Sequence, residues 1–146
     1  MSNRSFSSVL KLSILSAVLA FTSNVYADPV KAAFVYIGPT GDHGWTFAHD
    51  QGAKYVKEQM GDDVIITTVE SVEENSDSER VITSLARKND IIFTTSFGYM
   101  NPTIKVAKRY PDVKFEHATG YMLDDNVSVY SARFYEGRHV IGKIAG

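Results

Sequence analysis

The segment Gly38-Pro39-Thr40-Gly41-Asp42-His43-Gly44-Trp45-Thr46-Phe47-Ala48-His49 follows the apolar run 31–37 and precedes an amphipathic helical pattern. No other stretch of the chain constrains its fold as strongly. A glycine-rich turn between a strand and a helix is a hallmark of open α/β sheets, and it lies where such sheets bind small molecules. This turn also carries a tryptophan, two histidines and an aspartate. Flat rings beside polar groups suit a flat, polar ligand better than a bare phosphate.

Downstream, the hydrophobic period alternates between two types. Residues 32–37, 64–69, 90–95, 113–118 and 127–132 read as strands, the second of them β-branched. Residues 47–60 read as a helix with Phe47, Ala48, Gly52, Tyr55, Val56 and Met60 near one face and Gly61 at its end. Ser76-Asp77-Ser78-Glu79 reads as a capping box that opens a helix with the stripe Val81, Ile82, Leu85 and Ala86. Asn101-Pro102 supplies an N-cap and a proline at the first helical position for a helix reaching Tyr110, stopped by Pro111. Residues 135–145 read as a last helix, with Val140, Ile141, Ile144 and Ala145 on its apolar face. Strands alternating with helices imply an α/β fold: a doubly wound parallel sheet with right-handed crossovers, in the flavodoxin-like order 2-1-3-4-5.

The first residues read as a secretory leader. Arg4 and Lys11 precede the apolar run 12–21, and Val25-Tyr26-Ala27 places small residues where a signal peptidase reads. The run is too short to span a membrane. Cleavage is expected after Ala27, so residues 1–27 are the signal peptide and residues 28–146 one α/β domain in the periplasm. The whole chain has 15 basic against 17 acidic residues, and no basic patch, which argues against nucleic acid or an anionic membrane as partner. It has no cysteine, which excludes disulfides and thiol catalysis.

The expected topology assigns the ligand crevice to four loops beyond the carboxyl ends of the strands: 38–45, 96–101, 119–126 and 133–136. The first offers Asp42 and Trp45, with His49 one turn into the helix. Asp42 is expected both to cap the helix and to face the ligand. The second carries Phe97 and Tyr99 around a glycine, at a spacing that lets both rings share one side. The third offers Gly120 and Tyr121, the fourth Arg133, Phe134, Tyr135 and Glu136. Glu116 and His117 read as strand-embedded structural residues, and His139 as helix surface.

Catalytic and cofactor motifs are missing. Gly38, Gly41 and Gly44 do not match the dinucleotide fingerprint, and there is no phosphate-binding G-x-x-x-x-G-K-[ST]. His43 and His49 are not at zinc-motif spacing. Thr95-Ser96-Phe97-Gly98 is not a nucleophile elbow. Neither cofactor, metal nor catalytic residue is expected.

The leader, the strand followed by Gly-Pro-Thr-Gly-Asp-His-Gly-Trp-Thr and the later Ser-Phe-Gly-Tyr-Met resemble the basic membrane protein family of ABC-transporter solute-binding proteins, which includes purine nucleoside receptors. Asp124-Asp125-Asn126-Val127 and Phe134-Tyr135-Glu136-Gly137 are similar to two later family segments. Asp42-His43-Gly44-Trp45-Thr46 stands where many members have Asp-Lys-Ser-Phe-Asn, closer to the branch associated with purine bases. The resemblance implies a type I periplasmic binding protein of two lobes, of which this chain is the N-terminal one, monomeric when complete and delivering its ligand to an inner-membrane ABC permease. It implies a purine base or nucleoside as ligand. Trp45 with Phe97 or Tyr99 would stack on the ring; Asp42, His49 and Glu136 would hydrogen-bond its edges; Gly120 would lie beside it. A sugar or autoinducer receptor feeding a membrane sensor, and a periplasmic hydrolase on the same sheet, are the other readings open at this point.

Overall fold

The computed structural model describes residues 27–146, so the leader expected over residues 1–27 lies, up to residue 26, outside the described residues. Five strands form one parallel sheet: β1 (Val30–Val35), β2 (Val64–Val69), β3 (Ile91–Thr94), β4 (Lys114–Ala118) and β5 (Val127–Tyr130). Their order is β2-β1-β3-β4-β5, as the alternation of periods implied. Four helices accompany them: α1 (Trp45–Met60), α2 (Ser76–Ala86), α3 (Met100–Ala107) and α4 (Phe134–Ala145).

The central strands are apolar on both sides because both faces are covered. On one face α2 and α3 pack Ile82, Leu85, Ile104 and Val106 against Ala33, Val35, Ile92 and Phe115. On the other, α1 packs Ala53 against Ala32, Phe34, Tyr36 and Val64. Phe34 and Phe93 stack across β1 and β3, with ring centroids 4.4 Å apart. The Asn126 side-chain amide donates to the carbonyls of Ala107, Tyr110 and Val113, tying the entry to β5 to the end of α3.

Three local readings are corrected. α1 starts at Trp45 and buries Thr46, Asp50 and Ala53, not the stripe built on Phe47 and Tyr55; Tyr55 is 62% exposed. Hydrophobicity misled here because the inward row is polar: Thr46 Oγ1 accepts from the Gly38 N–H at 3.2 Å, and Asp50 pairs with Lys54 at 2.6 Å. α2 is capped by Asn75, whose side chain accepts from the Asp77 N–H at 2.7 Å. Glu79 does not close a capping box; it binds Lys105 on α3 and Arg109 in the turn after it instead. α3 starts at Met100, after a single 3-10 turn (Phe97–Tyr99), so Asn101 and Pro102 already lie inside its first turn.

α4 buries none of its residues; Val140, Ile141 and Ile144 are 56%, 65% and 82% exposed. The apolar face read from the sequence is therefore present and uncovered among the described residues.

Candidate functional site

The turn after β1 is organised by one carboxylate. Asp42 ends a 3-10 turn (Thr40–Asp42), and its Oδ1 accepts from the N–H groups of Gly44 at 2.8 Å and Phe47 at 3.0 Å. Its Oδ2 accepts from Thr46 N–H at 3.3 Å. These donors are the otherwise unpaired amides at the start of α1. The backbone N–H of Gly44, followed by that of Phe47, holds the Asp42 carboxyl below its ordinary range. The capping half of the reading for Asp42 is thus visible in the geometry, and it occupies both oxygens.

The same turn places Trp45 over the carboxyl ends of the strands. Its indole N–H donates to the Thr95 carbonyl at the end of β3. Its ring lies 4.6 Å from that of His49 and 5.7 Å from that of Phe134, centroid to centroid. His49 Nδ1 lies 2.9 Å from the Trp45 carbonyl. A carbonyl can only accept, so a neutral His49 carries its proton on Nδ1 and leaves Nε2 as an acceptor.

These groups line a cavity of about 310 Å³ formed by Trp45, Ala48 and His49 of α1, Ala118 and Thr119 at the end of β4, and Tyr130, Ser131, Ala132 and Phe134 around the end of β5. The volume is at the lower end of the range for small-molecule sites. Burial, and then the nearby Glu116, push the Tyr130 hydroxyl up to about 12, so it stays a neutral donor at physiological pH. Thr119 Oγ1 donates to the Ala118 carbonyl at 2.6 Å, which commits its proton and leaves its lone pairs free. The cavity therefore offers ring faces to a flat ligand, in a lining that is almost wholly apolar.

The expected residues divide. Trp45 and His49 line the cavity. Gly120 follows it in the third loop, where its lack of a side chain answers to His117: a Cβ there would lie 2.7 Å from the imidazole Nε2 and closer still to Cδ2. Phe97 is 54% exposed and meets Tyr121, with centroids 6.3 Å apart, as a separate aromatic pair. Tyr99 does not share its side. It is completely buried, and its hydroxyl donates to the Val72 carbonyl. The 3-10 turn is the reason: it breaks the extended spacing on which the shared-face reading of Phe97 and Tyr99 rested. That turn is held by Glu74, which accepts from Ser96 Oγ and from Gly98 N–H at 2.9 Å. Glu136 lies at the start of α4 and pairs with Arg133 at 3.1 Å, outside the cavity lining.

Tyr130 and Phe134 were not among the site residues read from the sequence. Tyr130 had a usable signal as the last residue of a strand, where side chains border the crevice. Phe134 belonged to the fourth loop, but nothing local distinguished it from Tyr135.

A cleft walled by rings at the carboxyl ends of a doubly wound sheet is where such folds take small molecules. The profile of the PnrA-like ABC transporter substrate-binding proteins matches residues 29–146. The chain belongs to that family. Over 119 residues it is 60% identical to a purine-binding protein of Brucella abortus, covering 81% of this chain and 34% of that one. It is 45% identical over 120 residues to a Haloferax volcanii protein whose name gives glucose binding for an ABC transporter, covering 82% of this chain and 30% of the other. Among solved structures, an ABC transporter solute-binding protein from Aeropyrum pernix superposes with a TM-score of 0.66 at 28% identity, over 78% of this chain and 31% of that chain. The chain thus spans about a third of the length of the curated relatives it matches.

Proposed function

We propose that this chain is the N-terminal lobe of an exported solute-binding protein that captures a purine base or nucleoside and hands it to an inner-membrane ABC permease without chemical change. One observation carries the reading: the rings of Trp45, His49, Tyr130 and Phe134 converge on one cavity at the carboxyl ends of the strands, its lining almost wholly apolar. A purine has two wide faces for the rings and an edge that alternates donors and acceptors. His49 Nε2 and Thr119 Oγ1 would accept from ring or amino N–H groups, and Tyr130 would donate to a ring nitrogen. Phe97 with Tyr121, Asp42, Gly120 and Glu136 would border the closed cleft, where a second lobe meets the first. The name of the Brucella relative supports the purine assignment. The share of the relatives that this chain spans supports the division into lobes. The leader pattern at residues 1–27 supports export to the periplasm, with the mature chain starting at Asp28.

Glucose is the second reading, favoured by the name of the Haloferax relative. Stacking on rings suits sugars as well as bases, so the polar edge must discriminate. The test is calorimetric titration of the full-length mature protein with adenine, guanine, adenosine and glucose, with each mixture checked afterwards for products. Submicromolar binding of a purine or nucleoside with no product is the expected result. Tight binding of glucose alone, or turnover of any of these compounds, would reject the purine-import reading.

A further inference from the structure

We infer that His117 is a positioning residue for this site: its buried imidazole, packed under Gly120, sets the left-handed corner at Thr119 that forms the β4 wall of the cavity. The inference rests on the assignment of that cavity as the binding site, but the contact is read from the lobe alone. Thr119 has φ +67°, among only three described non-glycine residues at positive φ. A β-branched residue in that region is strained, and it persists only where its surroundings hold it. Two hydrogen bonds do so directly: Thr119 N–H donates to the Tyr130 carbonyl at 2.8 Å, and Oγ1 donates to the Ala118 carbonyl at 2.6 Å. The third constraint comes from below. His117 is 1% exposed, and its ring lies against the Gly120 backbone so closely that a Cβ there would stand 2.7 Å from Nε2 and 3.4 Å from Met100 Sδ.

The ring itself cannot retreat. Its Nδ1 is 2.9 Å from Thr94 Oγ1, which accepts in turn from Thr103 Oγ1 at 3.0 Å. Thr94 and Thr103 are both fully buried. This chain of three side chains runs from α3 through β3 to β4 and ends under the third crevice loop. Nε2 has no partner. A purely structural histidine at this depth would be expected to satisfy both nitrogens. Here one nitrogen anchors the ring, and the other edge serves as the surface on which the loop rests. The rigid core is thereby connected to a residue that lines the cavity.

The test uses reciprocal substitution in the full-length protein. Gly120→Ala should push the loop off the ring. Hydrogen exchange of the Thr119 amide, bonded to Tyr130, should then quicken by about tenfold or more, and adenine affinity should fall. His117→Ala removes the ring on which the loop rests and should likewise quicken Thr119 exchange and weaken adenine binding. If Gly120→Ala does not fold, Thr94→Val releases the ring without touching the loop, and faster Thr119 exchange is again expected. Exchange unchanged in Gly120→Ala, in His117→Ala or in Thr94→Val would overturn the inference. The exchange arm needs no ligand, so a wild-type protein that fails to bind adenine would count against the purine assignment and leave this test standing.

Discussion

The Trp45 indole N–H donates to the backbone carbonyl of Thr95, joining the first turn of α1 to the end of β3 across the mouth of the crevice. Thr95 is itself fixed, because its N–H and its Oγ1 both donate to the Val35 carbonyl, at 3.2 and 2.8 Å. The ring is therefore oriented before any ligand arrives, and a preorganised group loses less entropy on binding.

Trp45→Phe keeps a ring and removes the donor. Stability should fall by about 1 kcal/mol, the net worth of an ordinary hydrogen bond. Trp45→Ala removes the stacking face as well and should weaken purine binding by roughly 1–3 kcal/mol. Melting temperature and calorimetric affinity, measured together on the full-length protein, check the pair. A large loss of melting temperature with unchanged affinity per folded molecule would return Trp45 to the core.

Tyr99→Phe should do the reverse. Its hydroxyl is the partner of the Val72 carbonyl inside the core. Losing it leaves that buried acceptor without this donor, at a cost of about 1–3 kcal/mol. Urea denaturation should show a lower midpoint at unchanged slope, while purine affinity per folded molecule stays the same.

Asp42 makes stability acid-sensitive. Its folded carboxyl titrates below the ordinary 3.8 because the charged form accepts from Gly44, Phe47 and Thr46. The contribution is complete above that ordinary value and is lost as the pH falls through the depressed folded one. Asp42→Asn keeps a capping oxygen but cannot titrate. Its melting temperature should therefore decline less than wild type between pH 5 and about pH 2.

His117 acts in a higher window. Burial holds its pKa below the ordinary 6.5, so the folded protein disfavours the proton that the unfolded chain accepts. The favourable contribution is intact above 6.5 and is lost as pH falls from there toward the folded value. His117→Gln should flatten melting temperature between pH 7.5 and about pH 5 and leave the more acidic Asp42 transition in place. An unaltered slope in that variant would assign the effect to another group.

The sheet was legible because the central strands β1 and β3 are short, nearly continuous apolar runs, the outer strands are alternating or β-branched ones, and helical periods separate them all. That Trp45 and His49 share one face was legible because a helix places residues four apart on one side, directly after the glycine turn. Tyr99 was misread because the spacing of two aromatics says nothing about whether the backbone between them is extended or turned. Glu74, which holds that turn, is more than twenty residues away in the chain. The inward face of α1 was misread because Thr46 and Asp50 are buried through partners, Gly38 and Lys54, rather than through hydrophobicity.

By itself, then, the sequence determined the α/β class, the strand order and the glycine turn that opens α1. Those depend on periodicity and on glycine, aspartate and proline chemistry within a few residues, and local chemistry is written in local sequence. Only the tertiary structure decided which rings meet. Tyr130 and Phe134 reach Trp45 and His49 because β5 and the start of α4 come alongside α1, some eighty residues earlier in the chain. Gly120 answers to a histidine held by threonines of β3 and α3. Such contacts arise from the closing of the sheet, and no window of neighbouring residues carries them.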